Sequence, residues 1–485
     1  MQFNNPFKAA PPIKVMINIG ACMDIPTGTY VTGLRGESIL NGGLGFLTAT
    51  VGIGNQFKST VLHYMTGTAM FRMTGSTATT YDTEINIHEW HLKNMVSKIE
   101  YFDGTDVFDS GRWTVTDKTV YTGDEYYDIL REHMQNRKKN EKQHLVKTPF
   151  CGREKTTNLM ILLPEFQEID SFSEFSTKDV IKMQDDNSLG DSGGNTISMR
   201  QGMQKNRVLM EIPGLSASSY SYILMTAHLG AEFNLDPYNP APKKLSTLKG
   251  NQKIKGAPEK FTFVMNNCWQ CFNASPLIHD TLKTPEYPRN KDDDLKGDTD
   301  LNVVTIKQLR GKSGPSGMGI ALVISQQDGV LPSLTEFHYI KTNGRYGLEG
   351  NLQNYYLSIL PEVSLSRTTV RSKLDNDSIL RRAMNITSEM CQINDLWHHL
   401  EPDLICSPAD LYKDLKELGY DWELLLNTRG WWALEDAEDY PKSTKEQIIS
   451  NNFKPFLSTM DLLRMRKKQY VPYWYPEDLK SNLKI

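Results

Sequence analysis

Long apolar runs are missing from this chain. No stretch of about 18 consecutive apolar residues occurs, so no membrane-spanning helix is expected. The opening Met-Gln-Phe-Asn-Asn-Pro has neither a basic n-region nor an apolar h-region, so no secretory leader is expected either. Cysteine is scarce: 485 residues hold six, Cys22, Cys151, Cys268, Cys271, Cys391 and Cys406. That density excludes a disulfide scaffold and suits reduced intracellular thiols. The expected compartment is therefore the cytoplasm, the host's if the chain is viral. Cys268-Trp-Gln-Cys271 is a single C-x-x-C. It lacks the second ligand pair of a structural zinc site and the thioredoxin-like setting of a redox pair, so strand-borne core thiols are expected. His88 and His91, and the pair His398-His399, also lack partners at metal spacing. An excess of positive charge is absent too. The net charge of −4 excludes a globally basic nucleic-acid binder, though it leaves room for a local basic groove. No internal repeat occurs. Length and ordinary composition fit a soluble globular protein of two domains, or one large domain with additions.

What the chain does have is Gly52-Ile53-Gly54-Asn55-Gln56-Phe57-Lys58-Ser59-Thr60, placed after the apolar run Phe46 to Val51 and before a helical pattern. Strand, glycine-bearing loop, lysine, hydroxyls and helix is the layout of a P-loop. Backbone N–H groups of such a loop wrap phosphate oxygens, and the helix N-terminus adds its dipole. Lys58 is expected to reach the β- and γ-phosphates of ATP, and the Ser59 hydroxyl to hold Mg²⁺. The usual pattern has glycine directly before the lysine, where Phe57 stands. A phenylalanine is expected to keep φ negative there, with Gly54 supplying the flexibility.

Along the chain, residues 27–45 read as a Gly/Thr-rich approach loop. Helices are expected over Lys58–Met73, His88–Ser97 and Glu125–Lys142, with a strand over Thr77–Tyr81 between the first two. That alternation predicts a parallel sheet with helices on both faces. Further strands are expected at Leu159–Leu163, Phe166–Ile169, Tyr220–Ala227, Phe261–Val264, Val303–Leu309 and Gly319–Ser325. Residues 176–200 and 232–258 read as long, weakly structured loops, which in a compact sheet are usually functional. Beyond Thr368 the chain turns helical and aromatic-rich and reads as a separate module. Its Arg464, Arg466, Lys467 and Lys468 read as a DNA-gathering patch or a solvated helix face.

ATP hydrolysis needs a carboxylate near Mg²⁺, a water-positioning group and transition-state charge. Candidates stand at ends of the expected strands, where open α/β sheets bind ligands. Asp170 is a plausible Walker B aspartate, although Gln167 and Glu168 make its strand oddly polar. Glu84 can polarise the attacking water, His228 can sense the γ-phosphate, and Arg310 and Lys312 can supply positive charge, across a subunit boundary.

In this order the pieces resemble the core of RecA-type recombinases, and within them the phage branch typified by UvsX. Phe57-Lys58-Ser59 resembles that branch's Phe-Lys-Ser, and Ile39-Leu-Asn-Gly-Gly-Leu44 resembles the family's glycine-rich approach. Tyr81-Asp-Thr-Glu84 resembles the segment that ends in the family's catalytic glutamate, and Asp170-Ser171 its Walker B Asp-Ser. Thr226-Ala-His228 resembles the end of the family's allosteric strand, with Ala227 in place of the usual Asn. Arg310-Gly-Lys312 resembles the basic pair that reaches the neighbouring subunit's ATP. The resemblance spans roughly residues 25–330.

It implies an α/β fold: a RecA-like P-loop ATPase core, a mostly parallel central sheet flanked by helices, over residues 31–365. An N-terminal segment, 1–30, precedes it and a mainly helical module, 366–485, follows. It further implies a DNA-dependent ATPase using ATP and Mg²⁺. Glu84, Lys58, Arg310 and Lys312 would be catalytic, residues 52–60 would bind ATP, Ser59 and Asp170 would hold the metal, and His228 would sense the γ-phosphate. The two long loops would line a filament axis and hold single-stranded DNA, with double-stranded DNA as exchange partner and self-assembly into a filament or ring. Lys243, Lys244, Lys249, Lys253 and Lys255 of the second loop, and Arg200 and Arg207 at the end of the first, are the expected phosphate contacts. Neither loop offers an obvious aromatic platform for bases. Two alternatives stay open. One is a hexameric helicase on the same core, which the Arg310-to-Gly317 turn also suits. The other is a non-catalytic regulatory or structural protein, which Phe57 and the polar Walker B strand favour.

Overall fold

The computed structural model describes residues 9–484 except 98, 100–106, 187–193, 232–247, 249–251, 290–295, 313, 315, 352 and 397–401. Its centre is a ten-stranded mixed sheet. The strands are β1 (Leu47–Gly52), β2 (Ala78–Asp82), β3 (Trp113–Asp117), β4 (Glu165–Asp170), β5 (Ser221–Ala231), β6 (Gln252–Ile254), β7 (Asn267–Pro276), β8 (Leu301–Gly311), β9 (Gly319–Ser325) and β10 (Gly329–Val330). Across the sheet the order is β3-β2-β4-β5-β1-β7-β8-β9-β10, with β6 added to the end of β5. From β3 to β7 every pairing is parallel. From β7 to β10 each is antiparallel.

Burial explains the arrangement. Every residue of β1 is buried, as a strand covered on both faces requires. Helix α1 (Lys58–Arg72) follows it and is buried nearly all round, through Val61, Leu62, Met65, Ala69 and Met70. Helix α2 (Gly123–Lys139) instead lies at the surface, with polar residues on its open side. A capping box between Thr122 and Glu125 starts it, and Arg137, Lys138 and Lys139 complement its C-terminal dipole.

Several expected elements differ. Residues 27–45 form a hairpin, Thr29–Thr32 against Ser38–Asn41, rather than a loop. Asn158–Leu162 is a strand, but it pairs with Leu145–Cys151 in a separate two-stranded sheet. Phe261–Val264 lies within a short helix, Lys260–Val264, and not in a strand. Phe261 turns inward there to stack on Phe172 at 5.5 Å. The strand of this region is β7, which carries Cys268 and Cys271 as buried free thiols, as expected. Much of the first expected loop is helical, in Lys178–Asp185 and in helix α3 (Gly194–Ser219).

The C-terminal part is mainly helical, with helix α4 (Ser378–Leu396) at its centre. Ser407, Asp421 and Ser458 cap later helices by accepting from backbone N–H groups. Its apolar residues share one cluster with Ile25, Leu40, Tyr287 and Val323. Its tryptophans are mostly internal: Trp422 Nε1 donates to Ile359 O at 2.8 Å, and Trp474 Nε1 to Phe456 O at 2.9 Å. Arg464 donates to Gly36 O and Ser38 Oγ, and Arg466 bonds Asp414, so these two arginines fasten the fold rather than forming a free basic patch. Among the described residues no helix is long and apolar enough to cross a membrane.

Candidate functional site

Five residues expected to act together meet at the carboxyl edge of the parallel strands. Lys58 and Ser59 open α1 after β1, Glu84 follows β2, Asp170 ends β4, and His228 lies in β5 opposite Gly52. The loop from Ile53 to Asn55 is exposed, while Lys58 is buried. Lys58 Nζ donates to Ile53 O at 3.0 Å, closing the loop on itself. Among the described residues no side chain caps α1. Its first-turn N–H groups and its dipole therefore face the loop, as an anion site requires.

The loop's backbone corrects one expectation. Phe57 has φ +56° and ψ 26°, and Asn55 has φ +56°, so both adopt the left-handed conformation. Gly54 is not the residue that takes it. Phe57 pushes its ring partly against the core, and that packing offsets the backbone cost. Gly52 is required for another reason: a Cβ there would lie 2.7 Å from Cys271 O. Gln56 ties the loop to β7 by accepting from the Ala274 N–H at 3.0 Å.

Asp82, two residues before Glu84, was not singled out by sequence. Its carboxylate accepts four backbone N–H bonds, from Glu84, Ile85, Asn86 and Ile87, each at 2.8 Å. The turn after β2 is thereby fixed and Glu84 is aimed. Glu84 Oε2 accepts from Asn86 Nδ2 at 3.1 Å, and Glu84 Oε1 lies 2.7 Å from His228 Nε2. Both members of this pair are about one-third exposed, at 28% and 30%, so water and ligand can reach them.

Asp170 is buried, and Thr226 donates to its Oδ1. Its peptide bond to Ser171 is cis. Among the described residues Oδ2 has no hydrogen-bond partner. Burial pushes the Asp170 pKa up, against the pull of His63, the nearby Ser59 hydroxyl and the Thr226 bond. A buried, unsatisfied carboxylate oxygen beside a hydroxyl fits Mg²⁺, a hard cation that takes one or two protein oxygens and completes its shell with phosphates and water. Among the described residues no group of three or more His, Cys, Asp or Glu is placed to hold a metal ion.

The polar character of β4 also has a structural cause. Glu168 is fully buried, 2.9 Å from His63 Nδ1, and accepts from Thr80 Oγ1 at 2.6 Å. Trp113 Nε1 in turn donates to Thr80 Oγ1 at 2.8 Å. Glu165 pairs with Arg137 and with His133. Burial alone would discharge His63, but the neighbouring Glu168, Asp170 and Asp82 outweigh it and leave the His63 pKa raised. Burial raises Glu168, and His63 with the hydroxyl donors overcomes this and lowers it. The pair is thus a buried ion pair that braces α1 against β4.

His228 also connects to the second long loop. Its N–H donates to Ser173 Oγ at 2.9 Å, and its carbonyl accepts from the Lys255 N–H at 2.8 Å. Ser173 Oγ donates to Lys255 O at 2.8 Å. Lys205 of α3 is buried, and its Nζ donates to Ser173 O and Gly256 O, both at 2.6 Å. Burial pulls its pKa down to about 8.

No protein-family model and no curated protein sequence matches this chain.

Of the expected DNA contacts, Lys253 and Lys255 are exposed on and after β6, the short strand paired to the end of β5. Lys243, Lys244 and Lys249 lie outside the described residues. Arg200 and Arg207 are exposed on α3, with Arg207 paired to Glu211 at 3.3 Å. Arg310 and Lys312 are not brought to the Gly52–Phe57 loop within the chain. Arg310 pairs in register with Cys268, and Cys268 with Ala49, near the start of β1 and thus at the opposite end of the strand from Gly52. The Arg310 guanidinium lies 5.6 Å from the centre of the half-exposed Phe263 ring.

Proposed function

We propose that this chain is an ATP-dependent, single-stranded-DNA-binding recombinase built on a RecA-like P-loop core. The observation that carries the reading is the Glu84–His228 contact at 2.7 Å. It joins the expected water-activating carboxylate to the expected γ-phosphate sensor, whose own backbone is hydrogen-bonded to Lys255 at the base of the lysine-bearing loop. Neither residue's presence alone favours the reading; their juxtaposition beside Lys58 and Asp170 does.

The chemistry follows from the placement. The open first turn of α1 and Lys58 hold the phosphates of ATP. Ser59 and Asp170 would hold Mg²⁺, which would supply positive charge for phosphoryl transfer. Glu84, aimed by Asp82, orients and deprotonates the attacking water. Loss of the γ-phosphate changes what His228 meets, and its bonds to Ser173 and Lys255 pass the change to the loop. Arg310 and Lys312 complete the site from an adjacent copy, which makes assembly part of turnover.

Electron microscopy of the purified protein with single-stranded DNA and a slowly hydrolysed ATP analogue tests the reading. Helical filaments that need both ligands, and that Lys58→Ala abolishes, are the expected result. Closed six-fold rings would replace it with a helicase. Nucleotide binding without either assembly would replace it with a regulatory or structural protein.

A further inference from the structure

Lys205 of α3 is 2% exposed. A buried ammonium is costly unless charge or hydrogen bonds meet it. What meets this one is two backbone carbonyls, Ser173 O and Gly256 O, both 2.6 Å from Nζ. Among the described residues Glu174 is the acid that acts on it, through space rather than by a hydrogen bond. The Phe172 ring lies against it, its centre 5.8 Å from Nζ. A methionine would fill such a place without burying a charge, so packing alone does not call for lysine.

The two carbonyls belong to segments that lead to different ends of the proposed machinery. One is the stretch after Asp170, at the end of β4. The other surrounds Gly256, just beyond the exposed Lys253 and Lys255. The two backbones meet closely. Gly256 has φ +63°, and a Cβ there would lie 2.6 Å from Ser173 O. Lys205 sits at this junction and holds both sides. Other side chains of α3 hold the first segment: Gln201 Nε2 donates to Ser176 Oγ at 3.2 Å, and Gln204 accepts from Thr177 Oγ1. Ser173 Oγ makes a second link by donating to Lys255 O at 2.8 Å. That bond is neutral, whereas bonds from an ionised donor are about twice as strong.

We propose that Lys205 is a positioning residue whose ammonium clamps the backbone after Asp170 to the backbone at Gly256, so that nucleotide held at the carboxyl edge orders residues 252–258. The inference rests on the proposed nucleotide site, though not on DNA. Ligand contact at Asp170 steadies Ser173, and the clamp makes Gly256 follow.

Hydrogen exchange of the full chain, read by mass spectrometry with and without Mg²⁺ and a slowly hydrolysed ATP analogue, tests it. In the wild type, nucleotide should slow amide exchange within residues 252–264. Lys205→Met keeps the stem and removes the donors; it should still bind nucleotide but lose more than half of that slowing. Binding of single-stranded DNA supplies the readout that a merely structural lysine would not move. Nucleotide should tighten it about fivefold or more in the wild type, the usual floor for coupled sites, and hardly at all in Lys205→Met. A structural role would instead weaken DNA binding equally with and without nucleotide, and that result overturns the proposal. Slowing retained in Lys205→Met, or absent from a wild type that binds nucleotide, also overturns it. A chain that binds no nucleotide overturns both this inference and the proposed function. Slowing that Lys205→Met removes, in a chain that binds no DNA, supports the clamp and sinks the recombinase reading. Should Lys205→Met fail to fold, Gly256→Ala parts the same two backbones from the other side: lost slowing supports the clamp, and retained slowing overturns it.

Discussion

Glu84 and Asp82 show how two nearby carboxylates take opposite duties. Asp82 is buried and saturated by four backbone N–H groups, so it serves geometry. Glu84 remains partly open and keeps one oxygen on His228, so it can handle a proton. Glu84→Gln should keep nucleotide binding and reduce ATP turnover by about 10²- to 10⁴-fold, as loss of a general base does. Parallel measurements of nucleotide affinity and phosphate release check this, and wild-type turnover would remove Glu84 from the chemistry. The His63–Glu168 pair gives a pH signature. The folded pKa of Glu168 lies below its ordinary 4.5, so its contribution is complete above 4.5 and fades as pH falls through the folded value. That of His63 lies above its ordinary 6.5, so its contribution is complete below 6.5 and fades as pH rises through the folded value. The melting-temperature gap between wild type and Glu168→Gln should therefore be widest between pH 4.5 and 6.5 and narrow on either side. Breaking a buried pair from one side costs about 3–5 kcal/mol, so a gap flat with pH would contradict the ion pair.

Within elements, the loop from Gly52 to Phe57 shows backbone and side chain in opposition. Phe57 at φ +56° carries a left-handed penalty of about 1–2 kcal/mol that glycine would not, while its ring packs on the core. Phe57→Ala and Phe57→Gly both delete the ring, so their difference isolates the backbone. In thermal unfolding, Phe57→Gly should be the more stable by about 1 kcal/mol. Equal stability, or the reverse order, would mean the loop relaxes out of that conformation. The same contrast explains what the sequence made legible. The strand, loop and helix from Leu47 to Arg72 could be read because a mostly apolar, β-prone run broken only by Thr48 and Thr50, a glycine pair and a lysine are local signals. Gly319–Ser325 matches its expected bounds for the same reason. Phe261–Val264 could not be resolved, because a short apolar run has no period to separate strand from helix. Lys58, Ser59, Glu84, Asp170 and His228 were legible by type and strand-end position. Lys205 reads in the sequence only as a third basic residue beside Arg200 and Arg207, and Ser173 not at all, since their bonds to Gly256 and Lys255 span 51 and 82 residues and leave no local trace. Glu168 was legible only as an oddity, until His63 and Thr80 supplied its partners.

For the whole molecule, the placement of Arg310 and Lys312 sets the strongest constraint. They stand along the strands away from Gly52, level with Ala49 and beyond, so one copy does not bring them to its own Gly52–Phe57 loop. If they act in ATP turnover, the acting pair comes from a neighbour, and the contact is heterologous, joining two different surfaces. A head-to-tail contact of this kind builds rings or filaments rather than two-fold dimers. It also predicts complementation. Glu84→Gln and Arg310→Ala should each be inactive alone. Mixed in equal amounts, they should regain turnover at roughly one site in four, wherever an Arg310→Ala copy with intact Glu84 receives Arg310 from a Glu84→Gln neighbour. Phosphate release in the mixture, with single-stranded DNA present, measures this directly. Recovery that scales with mixing would place the basic pair in trans, whereas a mixture as inactive as its parts would confine the chemistry to one copy and leave Arg310 its contact with Phe263.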